Sequence, residues 1–265
     1  MSADGTAPHV DDERTITWDG FYNGRDLGGL PTVDGGVTRT GQLYRAADLR
    51  YASEEGLEQM RAAGVGTVLD LRNGFETRTE PKSPEEAQAN ANRVPPTPEA
   101  VMPEGVFSVR VPLDDTSDVE FWQRMREEGR LGSPRFFRPV MEQHPARVVA
   151  VLRTIAQAPG PVLFHCAVGR DRTGLTSFAL LALAGATGEA IAEDYARSVA
   201  GLRPFFRRMG FPDPSGWIGE NLAKRGFTIE SAVAEQLDGF DARGTLARAG
   251  LTEQELDALT GRLRG

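Results

Sequence analysis

The 265-residue chain has one cysteine, Cys166, so no disulfide can close within it. Three histidines, His9, His144 and His165, show no zinc-ligand spacing with that cysteine, and neither a metal nor an organic cofactor is expected. Long apolar runs are missing. The longest, around Ser177 to Ala186, falls well short of the roughly 20 residues a membrane-spanning helix needs. Positive charge is also scarce, with 30 Lys and Arg against 38 Asp and Glu and a net charge of −8. That balance argues against nucleic acid as a partner, since such binding rests on basic groups. Any anionic ligand must be drawn in by a local cluster of donors instead. The first residues, Met1 to Thr15, are polar and acidic, without the basic start and apolar centre of a secretory leader. Residues 1–17 are read as a flexible arm, and cytoplasmic residence is expected.

What is present suits a globular core: 40% of residues are apolar and 26% charged. Short apolar runs at Thr67 to Leu71, Val106 to Leu113 and Val162 to His165 have the length of buried strands. Helical patterns lie between and after them. Ser53 can cap a helix running to about Ala63, and Val148 to Ala158 reads as another, ended by Pro159 and Gly160. Thr252 and Glu255 fit a capping box, with Leu251 and Leu256 placed as a hydrophobic staple, so a helix closes the chain to about Leu263. The stretch from Pro81 to Gly105 holds six prolines and reads as a surface excursion. The alternation predicts one α/β domain over 18–265, a mostly parallel central sheet flanked by helices, with extra helices in the C-terminal third.

Chemistry concentrates between Pro161 and Gly174, in PVLFHCAVGRDRTG followed by the apolar Leu175 to Ala184. The pattern is buried strand, short loop, then helix. A loop in that place presents backbone N–H groups of Ala167, Val168, Gly169 and Arg170, unpaired at a helix N-terminus, as an anion site. Gly169 permits a sharp turn and a close approach to a ligand. Arg172, six residues after Cys166, can return its planar guanidinium to the same anion and grip two oxygens. The same field favours a thiolate at Cys166, the nucleophilic form of the side chain. Thr173 is placed to offer its hydroxyl to the sulfur, and His165 to fix the loop through a backbone hydrogen bond.

These residues resemble the signature loop of cysteine-based tyrosine phosphatases. The nearer likeness is to a bacterial tyrosine, dual-specificity and lipid-phosphatase branch whose loop reads Cys-x-x-Gly-Lys-Asp-Arg-Thr-Gly. Asn23-Gly-Arg25-Asp26-Leu-Gly28-Gly29 resembles the N-terminal box of that branch. Leu43-Tyr44-Arg45, Asp70-Leu71-Arg72 and Glu193-Asp194-Tyr195 follow in order. Two positions depart from the pattern: Arg170 stands for the usual lysine and Gly24 for the usual phenylalanine. The resemblance implies hydrolysis of phosphate monoesters on phosphorylated proteins or phosphoinositides through a phosphocysteine at Cys166. Arg172 and the loop amides would hold the phosphate, with Arg25 and Asp26 in support.

An acid must protonate the leaving oxygen. Asp171 within the loop is one candidate, and the Asp114-Asp115 pair after the Val106 to Leu113 strand supplies another, with Asp115 favoured by position. Phe205, Phe206, Phe211 and Trp217 form either core or a cover over the site. On the loop alone, two rivals stay open: sulfur transfer of the rhodanese kind, and a catalytically silent phosphate-binding module.

Overall fold

The computed structural model describes residues 13–78 and 94–264. Five strands form one sheet: β1 (Arg25–Asp26), β2 (Leu43–Ala46), β3 (Thr67–Asp70), β4 (Phe107–Arg110) and β5 (Val162–His165). The spatial order is β1-β2-β5-β3-β4, parallel throughout except for β1, which runs against β2. The expected mostly parallel sheet is therefore present.

Side chains alternate across a strand, and on β2, β3 and β5 both faces are covered, whereas β4, read from sequence as part of a buried strand, is an edge strand with largely exposed side chains. Leu43, Leu69, Val162 and Phe164 enter the larger core, while Tyr44, Ala46, Val68 and Leu163 enter a second one on the other face. That second face is closed by α1 (Glu54–Ala62), through Leu57 and Met60. Ser53 caps α1 as expected, its hydroxyl accepting from Gly56 N at 3.1 Å.

The remaining helices are α2 (Val119–Glu127), α3 (Phe137–Gln143), α4 (Pro145–Gln157), α5 (Asp171–Leu183) and α6 (Gly188–Met209), then α7 (Ser215–Ala223), α8 (Ile229–Leu237), α9 (Ala242–Ala249) and α10 (Glu253–Arg264). The larger core collects α3, α4, α5 and α10 against the sheet. The capping box at the last helix forms, with Glu255 N on Thr252 Oγ1 at 3.2 Å and Thr252 N on Glu255 Oε2 at 2.9 Å. Leu251 and Leu256 are both buried beside it.

Part of the expected excursion from Pro81 to Gly105, residues 81–93, lies outside the described residues, as do residues 1–12 of the expected arm. Arg14 is buried, and its Nη1 lies 3.4 Å from Asp194 Oδ1. No helix among the described residues is long and apolar enough to cross a membrane. Phe205 and Phe206 are buried on α6, while Trp217 is 63% exposed.

The parallel strands end together. Ala46, His165, Asp70 and Arg110 stand level across the sheet. The loops leaving those ends share one edge, where open α/β sheets place their ligands.

Candidate active site

β5 delivers Cys166 to that edge with 1% of its surface exposed, and α5 begins five residues later. Between them the carbonyls of the loop are all spoken for. Cys166 O lies 3.1 Å from His165 Nδ1, and Ala167 O accepts from Asp48 N at 3.1 Å. Val168 O and Gly169 O both accept from Asn23 Nδ2 at 3.0 Å, and Gly169 O also accepts from Arg45 Nη2 at 2.7 Å. A peptide unit is planar, with its N–H opposed to its C=O. Tying these four carbonyls to the surrounding framework therefore turns the N–H groups of Ala167, Val168, Gly169 and Arg170 the other way. None of those four has an acceptor among the described residues. Gly169 is required: its φ is +69°, and a Cβ there would stand 2.2 Å from Ala46 O.

The loop opens into a cavity of about 560 Å³ lined by Ala167, Val168, Arg170, Asp171 and Arg172. Phe75, Trp122, Phe206 and Phe211 supply apolar walls. The guanidinium of Arg172 is held in place by two carboxylates. It donates to Glu76 with both terminal nitrogens, at 2.6 and 2.7 Å, and its Nε lies 3.5 Å from Asp114 Oδ2. Burial works against the charge of Arg172, yet Glu76 and Asp114 raise its pKa well above the usual value. Burial likewise opposes ionisation of Glu76, but Arg172 and the bond from Asn73 N outweigh it and lower its pKa. Asp114 goes the other way. Burial, reinforced by the nearby charges of Glu76 and Asp171, pushes its carboxyl up to about 6 against the pull of Arg172.

The structure brings together Cys166, Arg172, Asp171 and the loop residues expected from sequence, and departs from the expectations for Asp115 and for the Thr173 hydroxyl. Asp115 is not at the cavity. Its Oδ1 accepts from the Ser117 hydroxyl and amide, and those bonds hold its carboxyl below the usual range, so it braces the turn before α2. Asp114, its neighbour, lines the cavity instead. Arg25 and Asp26, expected in support, do not line the cavity. The register of β1 pairs Arg25 with Arg45, and both guanidiniums converge on Asp194, while Asp26 accepts from Gly28 N and Gly41 N. Thr173 is fully buried on the first turn of α5, and its hydroxyl has no partner among the described residues. The expected bond from Thr173 to the sulfur is not made. Asp171 is engaged by Arg170, with contacts of 3.3 and 3.4 Å, and by the Tyr195 hydroxyl at 3.5 Å.

Sequence reasoning missed Glu76 and gave no role to Asn23, Arg45 or Asp194. The signal for Glu76 was an Asn73-x-x-Glu76 capping spacing directly after Asp70-Leu71-Arg72, which returns the Glu76 carboxylate to Asn73 N at 2.8 Å. Among the described residues no group of three or more His, Cys, Asp or Glu side chains could hold a metal.

A family described as the tyrosine phosphatase family matches residues 16–265. The chain belongs to the tyrosine phosphatase family. A Cupriavidus necator protein bearing a tyrosine-protein phosphatase name is 32% identical over 196 residues, 72% of this chain and 66% of that one. The triple specificity protein phosphatase PtpB of Mycobacterium tuberculosis is 26% identical over 206 residues, 68% of this chain and 67% of that one. The chain thus spans about two thirds of the length of these two relatives. The crystal structure of P. aeruginosa TpbA aligns over 80% of this chain and 88% of its own, at 18% identity and a TM-score of 0.37.

Proposed function

We propose that the chain is a protein-tyrosine phosphatase acting through a phosphocysteine on Cys166, with a second reach toward other phosphate monoesters. The observation that carries this is the inverted loop. Four consecutive carbonyls, Cys166 to Gly169, are bound away from the cavity, leaving four N–H groups and the Arg172 guanidinium to receive a phosphoryl group. Oriented donors of this kind act where charge develops and need no reorganisation during reaction.

The Cys166 thiolate attacks phosphorus, the P–O ester bond breaks, and an S–P bond forms. The departing oxygen takes a proton from Asp114, whose raised pKa of about 6 keeps a proton available near neutral pH. A water then attacks the phosphocysteine and returns its proton to Asp114, releasing phosphate and the thiolate. Asp171 is the second candidate donor, since it lines the same cavity beside Arg172.

The apolar walls of Phe75, Trp122, Phe206 and Phe211 suit an aromatic leaving group. The resemblance of the signature loop to tyrosine, dual-specificity and lipid phosphatases extends the proposal to phosphoserine, phosphothreonine and phosphoinositides, and the PtpB relative bears a triple-specificity name. A reducing cytoplasm is the proposed site of action, since it would keep the catalytic thiol of Cys166 reduced. The family match favours phosphate chemistry over the sulfur transfer that the loop alone left open. Turnover of phosphotyrosyl peptides beside phosphoseryl peptides and soluble inositol phosphates tests the reading. The expectation is fastest hydrolysis of phosphotyrosine; thiosulfate-to-cyanide sulfur transfer without phosphate release would overturn it.

A further inference from the structure

Behind the Cys166 loop, on the side away from the cavity, five residues close a ring of hydrogen bonds. Gly169 O accepts from Arg45 Nη2 at 2.7 Å, and Arg45 Nη1 reaches Asp194 Oδ2 at 2.5 Å. Asp194 Oδ1 accepts from Arg25 Nε at 2.8 Å, and Arg25 Nη1 donates to Asn23 Oδ1 at 2.8 Å. Asn23 Nδ2 then returns to Gly169 O and Val168 O at 3.0 Å. The four side chains are buried, and none lines the cavity.

Two features mark the ring as more than packing. Asn23 is the only non-glycine among the described residues with left-handed backbone, at φ 51°. Such a conformation costs of order 1 kcal/mol or more and persists only where the surroundings impose it. Its side chain also has one useful orientation. Arg25 claims the oxygen, so the amide nitrogen must face the two loop carbonyls. Three guanidiniums, those of Arg14, Arg25 and Arg45, also converge on the carboxylate of Asp194 beneath the anion site. Burial opposes the charge on Asp194, yet Arg25 and Arg45 hold its carboxyl far below the usual range.

We propose that Asn23, Arg45 and Asp194 are positioning residues for phosphate-ester hydrolysis. They clamp the Val168 and Gly169 carbonyls outward, which aims the Gly169 and Arg170 N–H groups at the phosphate. Without the clamp either peptide unit is free to rotate, and a carbonyl would then face the dianion. The clamp is anchored in α6 through Asp194, and α6 also carries Phe206 on the cavity wall. This inference rests on the hydrolytic reading above.

Two substitutions test it without touching the cavity. Asn23→Gly removes the amide while relieving the left-handed backbone, so lost activity cannot come from strain. Gly201→Ala lies on α6, where alanine is the better helix former, but its Cβ would stand 2.9 Å from Asn23 Oδ1 and 3.4 Å from Asn23 Cα. For each, kcat and KM on an aryl phosphate are measured beside the affinity for inorganic phosphate by calorimetry, on protein whose fold is checked by circular dichroism. Asn23→Gly is expected to lower kcat about 10- to 100-fold and to weaken phosphate binding, Gly201→Ala to do the same more mildly, with the fold intact. In the double variant Asn23→Gly/Arg45→Lys the losses should be less than additive, since both hold one carbonyl. Unchanged kcat and unchanged phosphate affinity in both single variants, whatever the melting temperature does, would overturn the clamp. Failure of the hydrolytic reading looks different: the unaltered protein itself would not turn over aryl phosphates, while the calorimetric comparison would still decide whether the clamp shapes the anion site.

Discussion

Both terminal nitrogens of Arg172 are bonded to one carboxylate, that of Glu76, 96 residues away in the chain. The paired geometry holds the guanidinium plane before any phosphate arrives. An arginine held in advance loses less freedom on binding than one recruited from solution. Glu76 is itself fixed by Asn73 N, so the orientation is inherited from the turn after β3.

Replacing Glu76 by Ala should therefore weaken the grip on phosphate. Hydrogen bonds to charged groups contribute about 1.5–3 kcal/mol, which sets the expected fall in kcat/KM at roughly 10- to 100-fold. Steady-state kinetics on an aryl phosphate check this. A variant with unaltered kcat/KM would show that Arg172 orients itself.

Asp114→Asn should remove the proton donor and slow phosphotyrosine hydrolysis by about 10²-fold or more, with a smaller loss for p-nitrophenyl phosphate, whose leaving group needs less protonation. The native carboxyl titrates at about 6, so its protonated fraction, and with it kcat, should decline as pH rises through that value. That alkaline limb should vanish in the variant. Asp115→Asn should leave the profile unchanged, because Asp115 faces Ser117. Comparison of the pH–rate curves of the native protein and the Asp114→Asn, Asp115→Asn and Asp171→Asn variants decides the matter. If Asp171→Asn alone abolishes the limb, Asp171 is the donor.

The same titration bears on stability. An acid whose pKa is raised on folding binds its proton more tightly in the native state. Its contribution is therefore fully present below the ordinary value of 3.8 and is lost as pH rises to about 6. Above that pH, Asp114→Asn should be more stable than the native protein by about 3 kcal/mol. Urea denaturation at pH 4 and pH 7 measures the difference, which should appear only at the higher pH.

Asp194 has the opposite sign. Its depressed pKa stabilises the fold above the usual carboxylate range, and that support is lost as pH falls through and below it. Asp194→Asn removes the carboxylate on which Arg14, Arg25 and Arg45 converge, and breaking a buried ion pair in this way costs about 3–5 kcal/mol in comparable settings. Denaturant midpoints should show this near neutral pH, and the gap should narrow in acid.

Much of this was legible from residues alone. Val162 to Ala184 announced strand, loop and helix because an apolar run, a glycine and a second apolar stretch occur in that order. β2 was harder to read: its four residues include Arg45, a fully buried guanidinium that no apolar pattern reveals. The choice between Asp114 and Asp115 turned on a shift of one residue in the turn four residues past the end of β4, where consecutive side chains leave the backbone in different directions and position cannot say which enters the cavity. Glu76 depended on a single turn of 3-10 helix, Gly74–Glu76, whose tertiary partner, Arg172, lies in the first turn of the distant helix α5. Asp194 was quoted as part of a motif, but its meaning comes from three arginines that meet only in the folded chain.

The most direct test of the account is to quench the protein in acid within milliseconds of mixing with an aryl phosphate and map any phosphorylated peptide by mass spectrometry. A phosphoryl group on the peptide carrying Cys166, formed at the rate of the first turnover and absent in Cys166→Ser, is the predicted result. Full turnover by Cys166→Ser, or a phosphoryl group found on another side chain, would contradict it.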